Sequence, residues 1–197
     1  VSKIASFTVN IYNEVIIYIF FQFLEIYMNT LNELYVYIDG SCINNQSKKH
    51  RFGGYGVFFG DNDPRNVSKH LIHHKVTNNT AELMACLEAL TILEKSEIIY
   101  SKIYIVTDSK YIYNSCIDWI PNWEKNGWIK SDGKPVDNKD LLVSIREKYK
   151  KVKPLFKHVN SHRNEPSDKN SREWKFWYGN MKADALATQG SHNKLEN

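Results

Sequence analysis

Cysteine is scarce in this chain: Cys42, Cys86 and Cys116 are the only three, with no C-x-x-C pair among them. An odd count without metal-ligand spacing excludes a disulfide framework and a zinc-finger arrangement. Reduced thiols fit an intracellular protein, cytoplasmic or nuclear rather than secreted. Long apolar runs are missing too. Val15–Phe21 is uninterrupted, but Gln22 and Glu25 end it well short of a membrane span. A single Lys3 ahead of that run and no A-x-A after it do not make a signal peptide. There is no internal repeat. Charge of one sign is not in excess: 26 Lys and Arg face 22 Asp and Glu, for a net +4, which permits a polyanionic partner without demanding one.

What is there suffices for a core. Apolar residues make up 42% of 197 positions, the size of one domain with appendages. Residues 1–30 are expected to be a disordered or dispensable extension, with Met28 as the natural start. Residues 31–190 are expected to be the domain, and 191–197 a disordered tail.

The organising stretch is Tyr35–Ser41. Leu34, Val36 and Ile38 alternate with Tyr35, Tyr37 and Asp39, and Asp-Gly then signals a turn. A carboxylate at the end of a central strand is thereby expected, and Thr107-Asp108-Ser109 repeats the pattern after the strand 102–107. Further strands are expected at 52–60, 67–72 and 155–159. Helices are expected at 81–94, capped by Thr80 with Glu82 in its first turn, and then from 109, over 137–152 and over 180–188. Residues 161–178 are polar without clear periodicity and are expected to form a mobile loop. The order describes an α/β protein: a mixed five-stranded sheet, an antiparallel meander plus parallel strands, flanked by helices.

Two carboxylates on adjoining strand ends repel by about 4 kcal/mol at roughly 4 Å in an effective dielectric near 20. Cations between them would relieve this. The segments that carry chemistry are Tyr37-Ile-Asp-Gly-Ser41, Thr77-Asn-Asn-Thr-Ala-Glu-Leu83, Val106-Thr-Asp-Ser-Lys110, His158-Val-Asn-Ser-His162 and Asn180-Met-Lys-Ala-Asp-Ala-Leu-Ala187. In this order and spacing, over about residues 34–189, they resemble the type 1 ribonuclease H family. The resemblance implies an RNase H-like fold and an endonuclease that hydrolyses the RNA strand of RNA–DNA hybrids, leaving 5′-phosphate and 3′-hydroxyl ends. It implies Asp39, Glu82, Asp108 and Asp184 as ligands of two Mg²⁺ ions, with Mn²⁺ possible, and His162 as a proton shuttle or product-release aid.

The same resemblance implies a substrate surface. Cys42, Asn44, Asn45, Asn78 and Asn79 would line the RNA strand, where the 2′-hydroxyl distinguishes RNA from DNA. Thr77 and Asn45 would hold a phosphate of the DNA strand. Tyr111, Trp119 and Trp123 would form its channel, with ordinary core packing the competing role for Trp119. Lys125, Lys130 and Lys134 would attract phosphates. The partner is an RNA–DNA hybrid, not a membrane, and the expected state is a monomer. The stretch between His162 and Asp184 departs from the family in length and carries Trp174, Phe176 and Trp177. A non-catalytic hybrid-binding module, the nuclease part of a reverse transcriptase and a DNA-cutting relative stand as alternatives.

Overall fold

The computed structural model describes residues 14, 16–24, 33–44, 46, 51–98, 100–161 and 163–193. The chain divides into two compact units, Val1–Glu33 with Glu97–Lys102, and Leu34–Ser96 with Ile103–Asn197. In the first, residues 16–24 are helical and expose Ile16, Phe20 and Phe23, so this part of the expected disordered extension carries local order.

The elements run β1 (Glu33–Ile43), β2 (Phe52–Phe58), β3 (Val67–His70), α1 (Asn78–Glu94), β4 (Lys102–Thr107), α2 (Lys110–Asn114), a π-helical turn (Ser115–Trp119), α3 (Ile120–Lys125), α4 (Lys139–Val152), β5 (Leu155–His158) and α5 (Arg172–His192). The strands form one sheet in the order β3-β2-β1-β4-β5. The β1–β2 and β2–β3 pairs are antiparallel, and β4–β5 is parallel. The mixed five-stranded α/β architecture is therefore as the element order implied, and β1 is central.

Alternation along β1 sorts the two faces. Tyr35 and Tyr37 pack with Phe58, Val106, Phe176 and Ala183, which places α5 on that side. Val36 and Ile38, both without exposed surface, point to the other, where α1 packs against β2 and α4. Close approach of α5 to the sheet depends on Gly54 in β2, where a Cβ would stand 2.0 Å from the Ser191 backbone nitrogen.

Several boundaries differ from expectation. β1 does not stop at Asp39-Gly40: it continues to Ile43, because every residue from Tyr37 to Ile43 finds a partner between Phe52 and Phe58. Helix α1 starts at Asn78, capped by Thr77 rather than Thr80. The Thr77 side chain accepts from the Thr80 backbone and Thr80 Oγ1 accepts from Thr77 N–H, a reciprocal cap that uses Thr where Gln or Glu is usual. Glu82 consequently lies beyond the first turn. Helix α5 begins at Arg172, so residues 172–178 of the expected 161–178 loop, Trp174, Phe176 and Trp177 among them, are helical. The final helix also extends to His192, into the expected tail. The π-helical turn precedes Pro121, and the Ile120 N–H reaches Ser115 C=O. Pro121 has no N–H to offer the carbonyl one turn back, and the wider turn gives its ring room.

Candidate active site

Four segments bring carboxylates to one place. Asp39 sits within β1 opposite Gly56, on the same strand face as Tyr35 and Tyr37, and this face meets α5. Glu82 projects from α1. Asp108 directly follows β4. One oxygen from each of Asp39, Glu82 and Asp108 lies within 4.8 Å of the others. Asp184, on α5, is exposed beside them, and its charge and its hydrogen-bond contact with Asp39 help to raise the Asp39 carboxyl.

Burial sets the electrostatics. Asp39 is 7% exposed and Glu82 9%. Burial, then the charges of Asp108 and Asp184, push the Asp39 carboxyl from 3.8 up to about 8, against a lowering hydrogen bond from the Gly40 backbone. Glu82 is held well above its ordinary value by burial, then by Asp39 and Asp108. Its Oε2 is buried with no hydrogen-bond partner. A buried carboxylate oxygen without a donor costs about 1–3 kcal/mol, more if charged. Three carboxylates that each bring one hard oxygen to the same place suit a divalent cation, and among the described residues this is the group placed to hold one.

Gly40 joins the two central ligands. Its N–H serves both Asp39 and Glu82, and a Cβ there would stand 2.2 Å from the Glu82 backbone nitrogen. Since backbone cannot yield as a side chain can, Gly40→Ala is expected to cost about 3 kcal/mol. The melting temperature should fall by roughly 6–12 °C in a chain of this size, with divalent-ion affinity reduced in calorimetric titration. An unchanged melting curve would contradict this packing.

Sequence reasoning missed Asn180. Its Nδ2 donates to Asp108 Oδ2 at 3.0 Å, while its Oδ1 is buried without a partner. The signal was present: Asn180 precedes Asp184 by one helical turn, so both share a face of α5. His158 also contributes, its Nε2 lying 3.1 Å from the Asp108 carbonyl oxygen.

The remaining expected residues divide. Tyr111, Trp119 and Trp123 form one aromatic ladder, with ring centroids 6.0 and 5.7 Å apart, each ring half-buried. Cys42 is half-buried near the end of β1, Asn44 adopts φ +56°, and Asn78 and Asn79 are exposed at the start of α1. Thr77 is occupied as the helix cap. Arg51 Nη1 donates to the Val76 carbonyl, tying the start of β2 to the approach to α1. Lys125 is exposed, whereas Lys130 pairs with Asp137 at 3.1 Å and Lys134 with Asp132 at 3.3 Å, so the basic segment is partly self-neutralised. His162 and Asn45 lie outside the described residues.

A mixed sheet in this order, with acidic side chains gathered beside its central strand, defines the ribonuclease H-like class of nucleases. Comparison with known proteins makes the assignment specific. The RNase H family matches residues 31–192. Ribonuclease H of Rickettsia felis is 36% identical over 167 residues, 84% of this chain and 95% of its own. Ribonuclease HI of Rickettsia conorii is 37% identical over the same shares. The solution structure of the PFV RNase H domain superposes with a TM-score of 0.60 at 27% identity, covering 82% of this chain and 96% of that domain. The chain belongs to the ribonuclease H family and is a nuclease of the hydrolase class.

Proposed function

We propose that this chain is an endoribonuclease that hydrolyses the RNA strand of RNA–DNA hybrids, leaving 5′-phosphate and 3′-hydroxyl ends, and that residues 31–190 are the domain responsible. The observations that carry the reading are the convergence of Asp39, Glu82 and Asp108 and the burial of Glu82 Oε2 without a hydrogen-bond partner. Membership of the family supplies the substrate class.

Asp39, Glu82, Asp108 and Asp184 would hold two Mg²⁺ ions, with Mn²⁺ a substitute. When bound, such a pair activates a water and stabilises the leaving oxygen of an in-line displacement. The protein's own part is to fix the ligands. Gly40 N–H and the tight β1–α1 contact hold Asp39 and Glu82. Asn180 orients Asp108 from α5. Asp184 stands at the open side, where solvent and substrate enter. His162 is assigned proton transfer or product release. The exposed Asn78 and Asn79, with Cys42, Asn44 and Asn45, are assigned to the RNA strand, and Thr77 with Asn45 to a phosphate of the DNA strand. The ladder of Tyr111, Trp119 and Trp123, together with Lys125, is assigned to the DNA strand. A monomer presents all these groups from one chain. Among the described residues, no helix is long and apolar enough to cross a membrane. The three free cysteines favour an intracellular place of action.

The deciding experiment is parallel cleavage of an RNA–DNA hybrid, duplex DNA and duplex RNA of one sequence, with and without Mg²⁺. The hybrid alone should be cut, in the RNA strand, and only with the ion. Cleavage of duplex DNA at a comparable rate would replace this reading with that of a DNA-cutting relative. Binding should weaken as salt rises, by roughly 0.7–0.9 in logarithmic slope for each phosphate contact. A flat response would contradict the assigned basic and aromatic surface.

A further inference from the structure

Asp137 joins two parts of the chain that the acidic cluster does not involve. Its Oδ1 lies 3.6 Å from the Lys75 ammonium and its Oδ2 3.1 Å from that of Lys130. Lys75 belongs to the segment between β3 and α1, two residues before the Thr77 cap. Lys130 belongs to the segment between α3 and α4, where its N–H donates to the Lys134 carbonyl at 2.8 Å and Ile129 bridges Pro135. One carboxylate thus offers one oxygen to each of two ammonium groups, as the two non-bridging oxygens of a backbone phosphate would. Lys130, by hydrogen bond and charge, and then Lys75, by charge, hold the Asp137 carboxyl below its ordinary value. Among the described residues, neither lysine pairs with another carboxylate.

The carboxylate is held in place from both sides. Val136 is buried, and its N–H donates to the Trp128 carbonyl at 3.0 Å. Asn138 turns the chain with φ +54° and is in hydrogen-bond contact with the Tyr111 side chain. Tyr111 is the first ring of the ladder assigned to the DNA strand, and Thr77, assigned to a phosphate of that strand, follows Lys75. A sugar–phosphate backbone reaching from one to the other is brought to the gap that Asp137 fills. The gap is open: the side chains of Lys75, Lys130 and Asp137 are 50, 32 and 65% exposed. Ion pairs this exposed are weak, so a phosphate can displace the carboxylate without disturbing the fold.

We infer that Asp137 is an intramolecular stand-in for a phosphate: it occupies Lys75 and Lys130 in the free chain, yields them to a backbone phosphate of the hybrid, and so holds substrate affinity below what the two lysines alone would give. With Asp137 ionised, the gap meets the arriving phosphate with one net positive charge; without that carboxylate it would carry two. The inference rests on the hybrid-binding reading and concerns how tightly that substrate is held, not how it is cut.

The test follows binding of a fluorescein-labelled RNA–DNA hybrid by anisotropy, in Mg²⁺ and over a range of salt, to protein carrying Asp39→Asn, which should bind without cutting. Adding Asp137→Asn should tighten binding roughly three- to tenfold at low salt, the scale of two exposed ion pairs. It should also steepen the salt slope by about 0.7–0.9, as one further net positive charge at the backbone does. Adding Lys75→Gln or Lys130→Gln to that protein should cancel the gain. Asp140→Asn removes the same charge three residues further on, where the neighbour is His73 at 3.8 Å and not a lysine. It should change affinity by less than about twofold, since such a pair contributes little. Melting temperatures establish that each variant is folded. If Asp140→Asn tightens binding as much as Asp137→Asn, net charge alone is at work and the stand-in is refuted. A gain that survives both lysine changes refutes it equally. If the parent chain cuts hybrid while Asp137→Asn leaves affinity and salt slope unchanged, the stand-in falls and the function stands. If the parent chain neither binds nor cuts hybrid, both fall.

Discussion

Asp39→Asn is expected to abolish hybrid cleavage and at the same time stabilise the protein when divalent ions are absent. Both effects come from one buried charge. Asp39 would be one of the ligands of the proposed ions, and metal-ligand contributions of several kcal/mol translate to a loss on the order of a thousandfold or more in kcat. Without ions, an ionised Asp39 faces Asp108 and Asp184 from a position 7% exposed. The interval from 3.8 to about 8 bounds the penalty at about 6 kcal/mol. Relaxation and entry of water reduce the expected gain in the variant to on the order of 2 kcal/mol, or several degrees in melting temperature. Measurement requires kcat on a hybrid and melting curves in chelator. An inactive variant that melts lower would mean that Asp39 supports the fold, not the site. A variant that remains active would remove the site altogether.

The second large effect is the dependence of stability on pH and on ions. Asp39 and Glu82 are both raised in the folded state, so between about pH 4 and pH 8 the native protein binds more protons than the unfolded chain. Stability contributed by their protonation is therefore present at the acid end of that window and declines as pH rises through it. Divalent ions should reverse this trend, because a ligand that competes with protons binds best when the carboxylates are ionised. At an ion concentration of about 100 times Kd the gain is about 2.7 kcal/mol, roughly 5–10 °C in melting temperature. Melting curves across pH in chelator and in Mg²⁺ provide the check. Superimposable curves with and without the ion would show that the cluster binds none.

The site was legible to the extent that its chemistry is local. Asp39 and Asp108 each follow an alternating strand, and both positions can be read within a few residues. Glu82 was recognised within its Asn-Asn-Thr-Ala-Glu segment although its helix begins earlier than Thr80. The cap escaped notice because Thr77 and Thr80 satisfy one another, a pair in which either residue alone looks like a cap. The start of α5 was hidden for a different reason. Trp174, Phe176 and Tyr178 serve different partners: Trp174 reaches Glu165, Phe176 packs on Tyr35, and Tyr178 bonds Asp61. No single apolar stripe results, so the segment reads as aperiodic. Asn180 illustrates the opposite error. Its spacing to Asp184 was readable, but a lone amide on a helix points nowhere until a partner such as Asp108 is seen beside it.

From residue order alone came the alternation that makes a five-stranded mixed sheet and the family to which the chain belongs, because strand period and motif spacing are properties of neighbours in the chain. Only the tertiary structure decided how deeply Asp39 and Glu82 are buried and that Glu82 Oε2 is left without a partner. Desolvation and charge repulsion depend on distances between segments far apart in sequence, and those distances exist only once β1, α1, β4 and α5 have packed together.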